Sequence, residues 1–128
     1  MSDAKDFYET IGAKMEKMKK EIPAVVTGFG SLFSKVMTDG ALSLREKELV
    51  AMGIAVALNC KPCIRAHTKK CLETGASKEQ ILEAAAVAVV MGGGPAYMYV
   101  PEVYRGTGSI GKVKKLKIGR TIISRTGW

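Results

Sequence analysis

Residues 43–75 read SLREKELVAMGIAVALNCKPCIRAHTKKCLETG, and the punctuation of this stretch decides the fold. Ser43 with Glu46 three positions later is a capping box in front of an apolar run. The run LREKELVAMGIAVAL turns apolar nearly all round in its last two turns. That pattern predicts a helix central to the core, ending near Asn59. A second helix begins around residues 60–62, where Pro62 fits because first-turn N–H groups lack intrahelical partners anyway. It runs to Glu73 or Thr74 and stops at Gly75. With almost nothing between them, the two helices predict an antiparallel hairpin.

The same signals extend in both directions. Ser77 and Gln80 form a second capping box, opening KEQILEAAAVAVVM, which is expected to end in the run Gly92-Gly93-Gly94 with Pro95 behind it. A further short helix is expected through AYMYVPEVY, limited or bent by Pro101. Upstream, Phe7, Ile11, Met15 and Met18 recur at helical spacing over residues 3–21. Pro23 suits the first turn of another helix, whose apolar side comes from Val25, Val26, Phe29, Leu32, Phe33, Val36 and Met37. No strand pattern precedes residue 109. The fold class is all-α: a single-domain bundle of five to six helices over residues 1–108, followed by a basic C-terminal tail over 109–128.

Length and composition agree. A chain of 128 residues fits one domain with a core that needs no staples. Three cysteines argue against a secreted disulfide framework and for a reducing, cytoplasmic setting. The N-terminus lacks an apolar signal core, and the strictly apolar run at 84–91 is far shorter than the ~18 residues a membrane span requires. The net charge is +8. Residues 105–128 hold seven basic side chains and no acidic one, so residues 1–104 keep 13 basic against 12 acidic.

The chemistry concentrates in Cys60-Lys-Pro-Cys63 and His67, the chain's only histidine. At ~100° per residue, Cys60, Cys63 and His67 fall at about 0°, 300° and 340° on one helical stripe. Three readings are open: a redox dithiol, a metal site, or small buried thiols. A thiol in C-x-x-C, at a helix N-terminus or beside a histidine is activated as thiolate, and all three conditions hold here. A second cysteine three residues away can resolve an oxidised partner into an internal disulfide. For zinc, Cys71 is the tempting fourth ligand. It lies about 16 Å along the helix from Cys60, however, too far for one ion with ~2.3 Å bonds. Haem attachment requires histidine directly after the second cysteine, where Ile64 stands. Cys71 itself reads as a buried small hydrophobe. Glu48, where the preceding helix turns apolar, has two readings: a surface carboxylate at the boundary, or one that the hairpin lets face the cysteine helix part-way along it, where it could orient His67.

From Leu42 to Tyr99 the chain resembles the alkylhydroperoxidase D-like branch of the carboxymuconolactone decarboxylase superfamily. The resemblance rests on REKELVAMGIAVALNCKPCIRAH, LETGASKEQILEAA and VMGGGPAYMY. A glutamate, eleven residues, C-x-x-C, three residues and a histidine form the branch motif, matched by Glu48, Cys60, Cys63 and His67. The resemblance implies an all-α homo-oligomer, trimeric or hexameric, that reduces hydroperoxides or disulfides. It implies no cofactor beyond a redox-active Cys60–Cys63 disulfide. Cys63 would attack, Cys60 would resolve, and Glu48 and His67 would relay protons. The implied partners are a small hydroperoxide or disulfide substrate and a thiol reductant, either a protein or a small thiol. Helix-end electrostatics taken alone favour Cys60 as the activated thiol, whereas contact with His67 favours Cys63. Pro62 departs from members that carry a histidine between the cysteines. The decarboxylase branch proper lacks the C-x-x-C, so lactone decarboxylation is not implied.

Two other classes of function compete. One is a redox-inactive or sensing oligomer. The other is a nucleic-acid or anionic-surface binder acting through the basic tail, whose phosphate contacts would be strongly salt-dependent. With Trp128 as its one aromatic residue and no binding motif, the tail reads better as a solubilising or oligomer-embracing arm. The triple glycine reads as a helix break or a close-packing device, and Tyr97, Met98 and Tyr99 as core or subunit interface.

Overall fold

The computed structural model describes residues 3–105, with side chains from residue 9 onward. It contains α1 (Asp3–Glu21), α2 (Pro23–Val36), α3 (Leu44–Ala57), α4 (Lys61–Glu73), α5 (Lys78–Tyr99) and α6 (Pro101–Arg105), with no strand among the described residues. The basic tail expected over 109–128 lies outside them.

Both capping boxes form. Glu46 N–H donates to Ser43 Oγ at 3.1 Å, and Ser43 N–H donates to Glu46 Oε1 at 2.9 Å. These bonds hold the Glu46 carboxyl below its usual range, the backbone N–H of Ser43 first. Ser77 and Gln80 repeat the arrangement at the start of α5. Each box satisfies first-turn N–H groups that the helix cannot, which fixes where the helix begins.

The helix ends are equally determined. Asn59 takes a positive φ of 58°, the left-handed conformation that commonly terminates helices. Asn59 N–H donates to Val56 O and Cys60 N–H to Ala55 O, a Schellman pair closing α3. Gly75, at φ +91°, does the same for α4, with Gly75 N–H on Leu72 O and Ala76 N–H on Cys71 O. Helices α3 and α4 form the expected hairpin, and α5 packs along α3.

The core is small and built from three helices. Met52, Ala55 and Val56 of α3, Ile64 and Cys71 of α4, and Ile81, Ala85, Ala88 and Ala96 of α5 are buried, together with Val103 of α6. The glycine run has two separate uses. A Cβ on Gly92 would lie 2.7 Å from Ala96 Cβ, so glycine there lets the two segments of α5 approach across the kink, while Ala57 Cα of α3 lies at an ordinary contact distance of 3.5 Å. Gly93 breaks the helix at φ 68°, ψ −152°, and the chain restarts with Pro95 in its new first turn. The expected end of α5 at the glycines is therefore a kink: helical geometry resumes and continues to Tyr99. By length and composition α5 would suffice to cross a membrane. In this fold it is the helix that packs along α3.

Helix α2 forms where Pro23 and its apolar residues place it. It has no buried residue, and Val25, Phe29, Leu32 and Val36 are exposed. Helices α1 and α2 pack on each other and leave most of that apolar side open. Ile54, Val87 and Met91 on the outer faces of α3 and α5 are also exposed, flanking an apolar groove of about 360 Å³.

Candidate active site

Cys60 occupies an unusual position because it belongs to the ends of two helices. Its N–H closes α3 on Ala55 O, and its side chain caps α4, with Cys63 N–H donating to Cys60 Sγ at 3.3 Å. The link between the helices is thus too short to wander. Cys60 is therefore the N-cap of α4, with extended backbone, and not a member of its first turn. The Cα atoms of Cys60 and Cys63 lie 5.3 Å apart, and the two sulfurs are joined as a disulfide. Cys60 is half-buried, whereas Cys63 is exposed. Pro62 stands in the first turn of α4, where its missing N–H costs no hydrogen bond.

One turn further along, His67 Nδ1 lies 2.6 Å from Glu48 Oε2. The glutamate side chain is 3% exposed and the histidine side chain 17%. Antiparallel packing of α3 on α4 explains the pairing: a residue in the second turn of α3 meets one in the middle of α4. A carboxylate on Nδ1 fixes the ring's orientation and leaves Nε2 as the nitrogen free for exchange. Positions 63 and 67 are neighbours on one helix face, with Cβ atoms ~5–6 Å apart in regular geometry. The fold therefore sets the four residues singled out in the sequence as two bonded pairs along the hairpin, Cys60 with Cys63 at its link and Glu48 with His67 part-way along it.

Cys71, one turn beyond His67, is fully buried and unpaired in any disulfide. Burial first, and the nearby Glu48 carboxylate second, push its thiol pKa up to about 12. A thiol so far from ionising at neutral pH is inert as a nucleophile. Among the described residues no cluster of three or more His, Cys, Asp and Glu side chains has metal-holding geometry.

Two features of the site have no local signal in the sequence. Phe33 of α2 sets its ring 6.1 Å from the imidazole of His67, centroid to centroid, and the Lys70 ammonium lies 4.2 Å from the Phe33 centroid. Phe33, Met37, Glu48 and Lys70 also border a small open pocket of about 250 Å³. The second feature is a buried ion pair. Arg65 Nε and Nη2 both lie 3.0 Å from Glu102 Oε2, fastening α6 to the cysteine helix. Arg65 and Glu102 are 37 residues apart, and no periodicity links them.

A helical hairpin carrying a partly exposed cysteine pair one turn from a largely buried carboxylate–imidazole pair defines an all-α thiol protein. The model of the carboxymuconolactone decarboxylase family matches residues 23–105, so the chain belongs to that family. It carries the motif of the family's alkylhydroperoxidase D-like branch. Solved relatives share the architecture. A carboxymuconolactone decarboxylase family protein of Legionella pneumophila, crystallised in its apo form, is 40% identical with a TM-score of 0.73, over 77% of this chain and 88% of its own. The protein TM1620 of Thermotoga maritima is 31% identical with a TM-score of 0.74, over 80% and 90% of the two chains. Another structure of TM1620 is described in connection with an antioxidative response, with no activity assigned. An uncharacterised protein of Cupriavidus necator is 33% identical across 77% of this chain and 87% of its own length. One encoded in the cox locus of Paracoccus denitrificans is 42% identical across 56% and 64%.

Proposed function

We propose that the protein is a dithiol oxidoreductase that reduces small hydroperoxides or disulfides. The observation that carries this reading is the Cys60–Cys63 pair at the head of α4, one turn from a histidine held by a buried glutamate. In the reduced enzyme, His67 Nε2 takes the Cys63 proton. The thiolate attacks the terminal peroxide oxygen and the O–O bond breaks. The alcohol leaves with a proton returned by His67, and Cys63 becomes a sulfenic acid. The Cys60 thiol then attacks that sulfur, an S–S bond forms, and water departs. Two thiols and one hydroperoxide thus give a disulfide, an alcohol and water. An external thiol, protein or small molecule, restores the dithiol by exchange. A general acid–base of this kind supplies roughly 10²–10⁴-fold.

Exposure supports Cys63 as the attacking sulfur, and the half-buried position of Cys60 on the cap supports resolution. Pro62 stands where some peroxidases of the branch carry a further histidine, so this chain runs the reaction with His67 alone. The exposed apolar residues of α2, α3 and α5 support a homo-oligomer, trimeric or hexameric. A free, unpaired Cys71 suits the cytoplasm.

The test is thiol titration of the reduced protein after one equivalent of hydroperoxide. Wild type is expected to lose two thiols, and Cys63→Ser to consume peroxide at least about 100-fold more slowly. Consumption by Cys63→Ser at the wild-type rate would refute the assignment.

A further inference from the structure

Helix α2 touches the catalytic hairpin sparingly, and where it does, the contact is specific. Along its length Val25, Phe29, Leu32 and Val36 are exposed. Its C-terminal end is fastened by Lys47 Nζ, which donates to Val36 O at 2.8 Å. Within that fastened stretch Phe33 is half-buried, and its ring meets the face of His67. The Lys70 ammonium sits 4.2 Å from the same ring's centroid, an arrangement that attracts a cation to the aromatic face. Phe33 is thus held from α4 by a charge and by the imidazole beside it.

We propose that Phe33 is a positioning residue, acting through His67, that keeps water from the Glu48–His67 bond and so holds the imidazole in the Nδ1–H tautomer. The proposal rests on the dithiol reading for its consequence but not for its geometry. A carboxylate only accepts, so the shared proton sits on Nδ1, and in the neutral ring Nε2 is the acceptor nitrogen. That tautomer alone lets Nε2 take a proton from Cys63. Water reaching Nδ1 would compete for the carboxylate and free the ring to turn over. Phe33 supplies the cover from outside the hairpin. The substrate is not touched, and the effect passes through the orientation of His67.

His67 is the chain's one histidine, which makes the test direct. The full-length, reduced, ¹⁵N-labelled protein is examined by long-range ¹H–¹⁵N spectra at a pH where the ring is neutral. Wild type, Phe33→Ala, Phe33→Tyr and, as a control on the same helix, Leu32→Ala are compared. The Nδ1–H tautomer is expected to predominate in wild type, Phe33→Tyr and Leu32→Ala. Phe33→Ala is expected to move toward the mixture of free imidazole, and its kcat/KM for a hydroperoxide to fall by about tenfold, part of what a positioned acid–base supplies. Tyrosine restores both within about twofold, since it keeps the ring. An unchanged tautomer ratio in Phe33→Ala overturns the proposal, even if its rate falls, because the loss would then be merely structural. A wild type that reduces neither hydroperoxide nor a small disulfide, while Phe33→Ala still shifts the tautomer, overturns the dithiol reading and leaves the positioning role standing.

Discussion

Helices α2 and α3 have the same length, 14 residues, and both are rich in apolar side chains, yet they have opposite fates. Helix α3 buries Glu48, Met52, Ala55 and Val56 between α4 and α5. Helix α2 buries nothing and presents Val25, Phe29 and Leu32 to the surroundings. An apolar face states that a partner is needed and does not say which. Helix α3 finds its partners through short, fixed connections within the chain. For the α1–α2 arm, joined to the rest through residues 37–43, the described residues supply little more than the seat at Phe33 and the Lys47 bond to Val36 O. The buried hairpin therefore holds the stability, and the arm holds surface that a monomer does not use.

The comparison can be broken most decisively at the buried ion pair. Arg65→Met leaves Glu102 in a buried site, with Arg105 Nη1 at 3.7 Å as its remaining partner. Urea unfolding is expected to show a loss of about 3–5 kcal/mol, recovered largely by the double change with Glu102→Leu. A single variant as stable as wild type would show that α6 is not clamped by charge. Next is a pair of truncations. Ile81→Ala, at a fully buried position, is expected to cost about 2–5 kcal/mol. Val25→Ala on the arm is expected to stay within about 0.5 kcal/mol at concentrations where the protein is monomeric. A similar cost at both sites would mean that the arm folds against the core after all.

A smaller effect of opposite sign is expected at Thr68. Its hydroxyl is buried with no hydrogen-bond partner. Thr68→Val removes an unsatisfied group while keeping the shape, and is expected to raise stability by about 1 kcal/mol. Destabilisation would reveal a partner for that oxygen. The mildest test follows Cys71. Its thiol is neutral in the folded protein up to about pH 12, while the unfolded thiol ionises near 9.0. Above pH 9 the unfolded state binds fewer protons than the native one, so this contribution to stability is complete below pH 9 and declines toward pH 12. Cys71→Ala should flatten that decline in unfolding curves measured across the window. With a disulfide-specific reagent near pH 8, the reduced native protein should titrate two thiols quickly and the third only after denaturant is added.

What the sequence made legible divides along the same line. Ser43, Ser77, Gly75 and Asn59 announce helix ends through bonds spanning three to five residues, and each end falls where those residues place it. Glu48 was legible because a hairpin with a short link fixes which residues of α3 and α4 face each other. Phe33 over His67 and Arg65 against Glu102 were not, since they join elements through tertiary packing that no period encodes. Gly92 and Gly93 were half legible. A glycine run signals a break or a close approach, and the chain uses one residue for each.

Cys60 ties these threads together, because one sulfur both joins the disulfide and terminates a helix. In the proposed cycle, each turnover trades a capping thiol for a capping disulfide at the mouth of α4. The first turn of the helix that carries His67 thereby registers the oxidation state directly, as a change in the group its leading amide leans upon. Electron inventory and scaffold geometry share an atom, so amide exchange in that turn is a readout of redox state requiring no added probe.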